Sequence, residues 1–136
     1  RYRRRVRVYD AGGGGRNRAA LVLHGYPGLE DASPEELRRR IRVQAAGAGA
    51  ELCDGRVVDV QGERDAFRVA TEDGDVVHAR RVVLAYGLRD IRPEIPGLED
   101  AYGVTVHHCP DCDGPSVADE PVGLERSCHA KLLMPA

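Results

Sequence analysis

The order of apolar and polar residues along the chain predicts a mixture of strands and helices. Residues 5–10, Arg-Val-Arg-Val-Tyr-Asp, alternate as a strand does and end on an acidic residue before a glycine-rich loop. Residues 33–36, Ser-Pro-Glu-Glu, have the order of an N-cap, a first-turn proline and first-turn carboxylates. A helix is therefore expected from Pro34 to about Ala48. Its apolar face is formed by Leu37, Ile41 and Ala45.

Three short β-forming runs follow the helix, at residues 55–60, 66–71 and 76–79. Gly62 separates the first two, and the turn-forming sequence Glu-Asp-Gly-Asp at 72–75 separates the last two. Short strands joined by tight turns pair with their neighbours in the chain. We therefore expect an antiparallel β-meander.

The second half of the chain alternates between apolar and extended segments. Residues 81–85 are a continuous apolar run that ends at Tyr86-Gly87, as in a buried strand that leads into a tight turn. Ligands of open α/β sheets lie at such carboxyl ends. Residues 89–96 are interrupted by prolines and are expected to be extended, and residues 104–108 lead into a thiol motif. The tail from Pro121 begins as another strand would.

Composition and charge narrow the classes of function. The chain has 20 basic and 22 acidic residues, a formal net charge of −2, so no positive field favours nucleic acid or an anionic membrane. No apolar run approaches the roughly 20 residues that span a bilayer, and no signal peptide is recognisable. We therefore expect a cytoplasmic α/β protein whose partners are small molecules or other proteins.

Two of the four cysteines have a Cys-x-x-Cys spacing, at Cys109 and Cys112. Thiol pairs of reduced compartments are more often redox-active or metal-binding than structural. Two intervening residues let the sulfurs meet in a small ring, and the surroundings can lower one thiol pKa from about 8.5 toward 7. One sulfur then attacks a partner disulfide and the other resolves the mixed intermediate. Inert thiols in a binding or interaction module are the plain alternative. Cys53 is expected to be a small buried apolar residue.

Zinc binding is the other hypothesis for these cysteines. Cys109, Cys112, Cys128 and either His129 or His107 could supply three thiolates and one imidazole. A structural zinc site usually closes with a second well-spaced ligand pair. Cys128 and His129 are adjacent instead, which is unfavourable geometry for one ion.

Four motifs follow one another along the chain: Val8-Tyr9-Asp10-Ala11-Gly12, Arg16-Asn17 with His24-Gly25-Tyr26-Pro27-Gly28, Val82-Val83-Leu84-Ala85-Tyr86-Gly87 with Ile95-Pro96-Gly97, and Cys109-Pro110-Asp111-Cys112-Asp113-Gly114. Their order and sequences resemble the thioredoxin reductase-like group of FAD- and pyridine nucleotide-dependent disulfide oxidoreductases, over about residues 5–130. The last motif is similar to the redox motif of this group down to its trailing Asp-Gly.

The resemblance implies roles for individual residues. Cys112 would face the flavin, Cys109 would meet the partner disulfide, and Asp113 would pass a proton to the leaving thiolate. Without the resemblance, Asp113 and the glycine after it indicate only a turn. Asp10 would accept hydrogen bonds from the adenosine ribose. The full set of implied FAD contacts is Asp10, Arg16, Asn17, His24, Gly25, Val58, Ala85 and Gly87; no metal ligand is implied.

The resemblance also implies a domain organisation and a reaction. Residues 1–106 would be a partial Rossmann-like FAD-binding domain with its meander, and residues 107–136 the start of an NAD(P)-binding domain. NADPH would reduce FAD, FAD would reduce the cysteine pair, and the pair would reduce a thioredoxin-like protein or a small disulfide. Some members of the wider group oxidise dithiols instead, and the sequence does not fix the direction. Full-length members of the family can be homodimers.

The chain departs from the family pattern in three places. It begins without the first strand and GxGxxG turn, which lay the FAD pyrophosphate on a helix N-terminus, so we expect a fragment. Tyr86 stands where the family has threonine. Arg126 and Cys128 stand where the second nucleotide-binding domain has glycines that let the backbone approach phosphate. We therefore expect the chain alone to hold neither cofactor tightly and to be inactive.

Overall fold

The computed structural model describes residues 4–126 and 131–135, and side chains up to residue 123. The described strands are β1 (Arg7–Asp10), β2 (Glu51–Asp54), β3 (Val57–Gln61), β4 (Phe67–Thr71), β5 (Val76–Ala79), β6 (Val122–Arg126) and β7 (Lys131–Pro135). The α-helices are α1 (Pro34–Gly47), α2 (Leu98–Ala101) and α3 (Pro110–Asp113), and short 3₁₀ helices cover Arg16–Ala19 and Gly114–Val117. Within the described part, no helix is both long and apolar enough to cross a membrane.

The chain forms two compact units. Unit 1 comprises residues 1–13 and 39–86, and unit 2 comprises residues 14–38 and 87–136. These units are defined by compactness alone. They do not test the predicted domain boundary between residues 106 and 107, which stays a prediction.

Unit 1 begins with a pair of parallel strands. β1 pairs with β2 in a register that sets Tyr9 opposite Cys53 and Asp10 opposite Asp54. Parallel neighbours need a long connection, and here it contains α1. The predicted first strand and helix are thus confirmed within about two residues, whereas β2 was not predicted. Cys53 is half-buried rather than buried, because β2 pairs only with β1 among the described strands and leaves sheet surface open.

The rest of unit 1 confirms the meander and corrects the strand after it. β3, β4 and β5 form an antiparallel sheet in chain order, with Val69 buried on the central strand. The buried strand expected at residues 81–85 is wrong: the segment has no regular structure, and Val83 is 88% exposed. An apolar run forms a strand only where a neighbour completes its hydrogen bonds. No described strand pairs with this segment.

Unit 2 is organised around a small apolar core. The core consists of Leu98 on α2, Tyr102 just after it, and Val106, and Ala19 and Ala101 pack against it. Residues 89–95 have no regular secondary structure and lead through a turn at Pro96 and Gly97 to α2, so the extended conformation expected for 89–96 stays a prediction. After α3 the chain ends in the antiparallel pair β6–β7, so the strand predicted in the tail is also confirmed.

Two glycines beside α2 allow a matched test of this core. Gly97 and Gly103 both have positive φ, at 81° and 84°. A Cβ on Gly97 would meet nothing within 4 Å, whereas a Cβ on Gly103 would collide with the backbone carbonyl of Ala19. We expect Gly97→Ala to cost about 1 kcal/mol for the left-handed backbone. Gly103→Ala should cost about 1–3 kcal/mol more because it overpacks the contact.

Urea unfolding of the 136-residue chain and both variants measures this difference. Gly97→Ala is the control for backbone strain alone. Equal losses of stability in the two variants would contradict the close packing of Gly103 on Ala19.

Candidate functional site

The Cys-x-x-Cys motif forms a disulfide at the start of α3. Cys109 and Cys112 are bonded, with their Cα atoms 5.3 Å apart. Cys109 is the extended N-cap residue and Pro110 occupies the first turn, where its missing N–H costs no helical hydrogen bond. The amide of Cys112 donates to the Sγ of Cys109 at 3.2 Å. The sequence therefore places the sulfurs in a tight ring with a backbone donor aimed at one of them.

The two sulfur-bearing residues differ in exposure. Cys109 is half-buried and Cys112 is exposed. The amide of Asp113 donates to the carbonyl of Cys109 at 3.0 Å, which closes the helical turn around the disulfide. Ser116 continues the turn, since its hydroxyl donates to the carbonyl of Asp113 at 2.6 Å. The three residues expected to carry the chemistry, both cysteines and Asp113, thus lie on one turn of the chain.

Asp113 has a histidine beside it. Its Oδ2 atom lies 3.8 Å from the Nδ1 atom of His107, and the side chains are only 14% and 15% exposed. This separation suits an ion pair when the imidazole is protonated and is too long for a hydrogen bond. A titratable pair therefore lies beside the turn that contains Cys109 and Cys112, largely shielded from water.

His108, which follows His107 in the chain, connects the turn of Cys109 and Cys112 to the core of unit 2. Its ring stacks on Tyr102, with centroids 5.7 Å apart and planes at 16°. The guanidinium of Arg92 lies 4.5 Å from the centre of the same tyrosine ring, a cation–π contact. Arg92 is itself held by Glu99 through two hydrogen bonds of 2.7 and 2.6 Å. The backbone just before Cys109 is thus anchored by aromatic stacking.

A bidentate ion pair supports the polar end of Tyr102. The tyrosine hydroxyl donates to Asp90 at 3.3 Å. Arg16 donates to the same carboxylate through Nε at 2.8 Å, and its terminal nitrogen lies 2.8 Å from the other oxygen. Two parallel contacts of this kind fix orientation as well as distance. Asp90 therefore ties the 3₁₀ helix of residues 16–19 to the core.

Burial and charge shift the pKa values of this cluster. The Arg16 guanidinium lowers the pKa of Asp90. Burial, followed by the nearby Asp90 charge, raises the pKa of Tyr102. Burial, followed by the charge of Arg16, lowers the pKa of His108, which favours its neutral form. His108 is thus suited to stacking and not to carrying a charge.

The FAD contacts expected in unit 2 lie in exposed loops. Arg16 is in the 3₁₀ helix with its guanidinium on Asp90, and Asn17 follows it at the surface. His24 and Gly25 lie in the loop before α1, and Gly87 lies in the irregular segment after β5; all three are exposed. Gly25 and Gly87 have positive φ, a backbone conformation that residues with a side chain rarely adopt.

The FAD contacts expected in unit 1 are separated along it. Asp10 ends β1, Val58 lies on β3 and is 58% exposed, and Ala85 lies in the exposed segment after β5. Arg42 bridges the ends of the parallel strands, donating to Asp10 at 2.9 Å and Asp54 at 2.8 Å. These ends border a cleft of about 260 Å³ lined by Asp10, Ala11, Gly12, Asp54, Gly55, Arg56 and Glu72.

The residues described give no support to a zinc centre. Across residues 4–126 and 131–135, no group of three metal-ligating side chains is assembled. Cys109 and Cys112 are joined to each other, which leaves neither as a thiolate ligand. Cys128 and His129, two further ligands of the zinc hypothesis, lie outside the described residues.

Sequence reasoning missed the residues that support the disulfide. Asp90, Arg92 and Tyr102 gave no motif, because a cation–π contact and a bidentate pair join positions with no regular spacing. For His108, the sequence predicted only a place in the segment that leads into the cysteine motif. The available signal was the pair of consecutive histidines directly before Cys109 in a chain with only 5 histidines.

A protein-family model described as lycopene cyclase protein matches residues 23–119, more than half of the chain. A probable thioredoxin reductase of Arthroderma benhamiae is 30% identical over 131 residues, covering 91% of this chain and 32% of that protein. The crystal structure of HlmI is 40% identical with a TM-score of 0.81, covering 88% of this chain and 38% of that one. The thioredoxin reductase structure from Streptococcus pyogenes is 26% identical with a TM-score of 0.78, covering 85% and 38%.

These likenesses confirm the predicted α/β fold as part of a Rossmann-like FAD-binding domain. The chain spans about a third of the length of the curated relatives it matches. The chain belongs to the thioredoxin reductase-like pyridine nucleotide-disulfide oxidoreductases, whose FAD-binding character the lycopene cyclase family model shares.

Proposed function

We propose that this chain is the thiol-bearing part of a flavin-dependent disulfide oxidoreductase. The Cys109–Cys112 disulfide on α3 is the observation that carries the proposal. In the reaction, two electrons and two protons convert this disulfide to a dithiol. The dithiol then reduces a partner disulfide and is reoxidised. Residues 107–136 would belong to the NAD(P)-binding domain and residues 1–106 to the FAD-binding domain.

The ends of β1 and β2 fit one part of FAD, its adenosine ribose. Asp10 and Asp54 end neighbouring parallel strands beside the cleft, and carboxylates at such strand ends accept from ribose hydroxyls. No atom lies within 4 Å of the position of a Cβ on Gly12, so the cleft is open on that side. Bound FAD would supply the ring that relays two electrons from NADPH to the disulfide. The other implied contacts are Arg16, Asn17, His24, Gly25, Val58, Ala85 and Gly87.

The two sulfurs would have different tasks. In the reduced state, the Cys112 amide that now donates to the Sγ of Cys109 would stabilise a thiolate there. Cys109 would therefore attack the partner disulfide, and Cys112 would resolve the mixed disulfide and exchange electrons with the flavin. Simple exposure favours the opposite assignment, since Cys112 is exposed and Cys109 half-buried. We give more weight to the hydrogen bond than to exposure, because the hydrogen bond sets the fraction of Cys109 that is present as the reactive thiolate.

The names of the relatives support a thioredoxin-like protein as the partner, with a small disulfide as the alternative. NADPH is proposed as the electron source on the same ground. Asp113 would return a proton to the sulfur that leaves, since its backbone is bonded to that of Cys109 in the same turn.

The first test is the reversibility of the disulfide. We expect Cys109 and Cys112 to be protected from alkylation under mildly oxidising conditions and both alkylated after reduction, because their geometry favours ring closure. Mass mapping across a series of redox buffers measures this. Cys112→Ser is the matched control and should leave Cys109 alkylated throughout. Two sulfurs that stay alkylatable under mild oxidation would remove the redox function.

The second test is the division of tasks, with Cys53 and Cys128 replaced by serine in every variant. Cys112→Ser and Cys109→Ser each leave one sulfur to form a mixed disulfide with a chromogenic aryl disulfide. The hydrogen bond from the Cys112 amide raises the fraction of Cys109 present as thiolate, and the lower nucleophilicity of a more acidic thiol offsets part of that gain. We expect the variant that retains Cys109 to react roughly three-fold faster. Equal rates, or a faster Cys112, would reverse the assignment.

A further inference from the structure

His107 and Asp113 form a pair of ionisable side chains that flanks the disulfide. His107 precedes Cys109 by two residues and Asp113 follows Cys112 directly. Their Nδ1 and Oδ2 atoms lie 3.8 Å apart, and the side chains are 15% and 14% exposed. Two ionisable side chains so far shielded from water interact more strongly than an exposed pair. This contact is distinct from the stack that His108 forms with Tyr102.

The chemistry of the disulfide creates a need for a proton at this place. When a thiolate of a reducing dithiol attacks one sulfur, the S–S bond breaks, a new S–S bond forms, and the other sulfur leaves with the electron pair. The leaving thiolate then takes one proton. A carboxylic acid ordinarily keeps its proton only below about pH 4, whereas an imidazole keeps it to about pH 6.5. A general acid works best when it is still protonated near the working pH.

We propose that His107 is a positioning residue for this disulfide: it holds the Asp113 carboxylate as an ion pair, and the two side chains close from 3.8 Å to hydrogen-bond distance as their single proton passes through Asp113 to the leaving sulfur. The inference rests on the proposed redox function and adds a residue to it. In the reverse direction, the pair takes up the proton that the resolving thiol loses. Replacing either member therefore removes the same proton from the same step.

Other charged groups around the pair come from three segments. His108 is adjacent and interacts electrostatically with both members, and Arg16 and Asp90 act on His108 in turn. Asp111, on α3 itself, is exposed. Burial and Arg16 lower the pKa of His108, which makes that residue a poor proton carrier.

The test follows reduction of the Cys109–Cys112 disulfide in the 136-residue chain by dithiothreitol, with acid quenching and alkylation, from about pH 5.5 to about pH 8.5. Dividing the wild-type rate by that of each variant removes the pH dependence of the reductant. We expect His107→Gln to be about ten-fold slower than wild type at the acid end, where imidazoles are protonated, and equal to it at the alkaline end. Asp113→Asn should show the same profile.

Two further variants sharpen the result. The double variant His107→Gln with Asp113→Asn should be no slower than either single variant, because both remove one shared proton. His78→Gln replaces an exposed histidine on β5 and should match wild type at every pH. Should His107→Gln fail to fold, the profile of Asp113→Asn against Asp113→Glu decides instead, with recovery of the acid-side rate expected in the glutamate variant.

The outcomes separate the two proposals. A reversible wild-type disulfide with a rate ratio that does not change with pH overturns the role of His107 and leaves the redox function standing. Additive losses in the double variant also overturn it, since they indicate independent effects. A wild-type disulfide that cannot be reduced and re-formed overturns the redox function and the inference together.

Discussion

The buried ring of Tyr102 is the constraint on which unit 2 depends. A phenol can be buried only if its hydroxyl finds a partner, and Asp90 provides that partner while being held by Arg16. The faces of the ring are used as well, by the guanidinium of Arg92 and the imidazole of His108. Because His108 directly precedes Cys109, the packing of one tyrosine fixes the backbone from which the disulfide starts.

Unit 1 is governed by a different interaction, the bridge that Arg42 forms across two strand ends. Parallel strands place their carboxyl ends side by side, so Asp10 and Asp54 bring two negative charges together. Arg42 compensates both through separate nitrogens. The two carboxylates would repel each other without Arg42; with it they form the acidic edge at which we propose that a ribose hydroxyl binds.

Local signals in the sequence identified most elements, because their causes are local. The cap and proline at 33–36 predicted α1, alternation and turns predicted the meander, and two-residue spacing predicted the sulfur pair. The failures involve partners distant in sequence. β2 is a strand because it pairs with β1. Residues 81–85 form no strand because no described strand pairs with them. The contacts of Asp90 with Arg16, 74 residues apart, had no pattern to reveal them.

The two consecutive histidines before Cys109 show how one backbone segment can serve two purposes. The side chain of His108 meets the aromatic core, while that of His107 meets Asp113. The core-facing His108 is desolvated, which lowers its pKa and suits it to stacking. The Nδ1 atom of His107 instead lies 3.8 Å from the carboxylate of Asp113. In the proposed mechanism, His108 anchors the turn of Cys109 and Cys112 while His107 and Asp113 handle its proton, so the two tasks lie on different side chains.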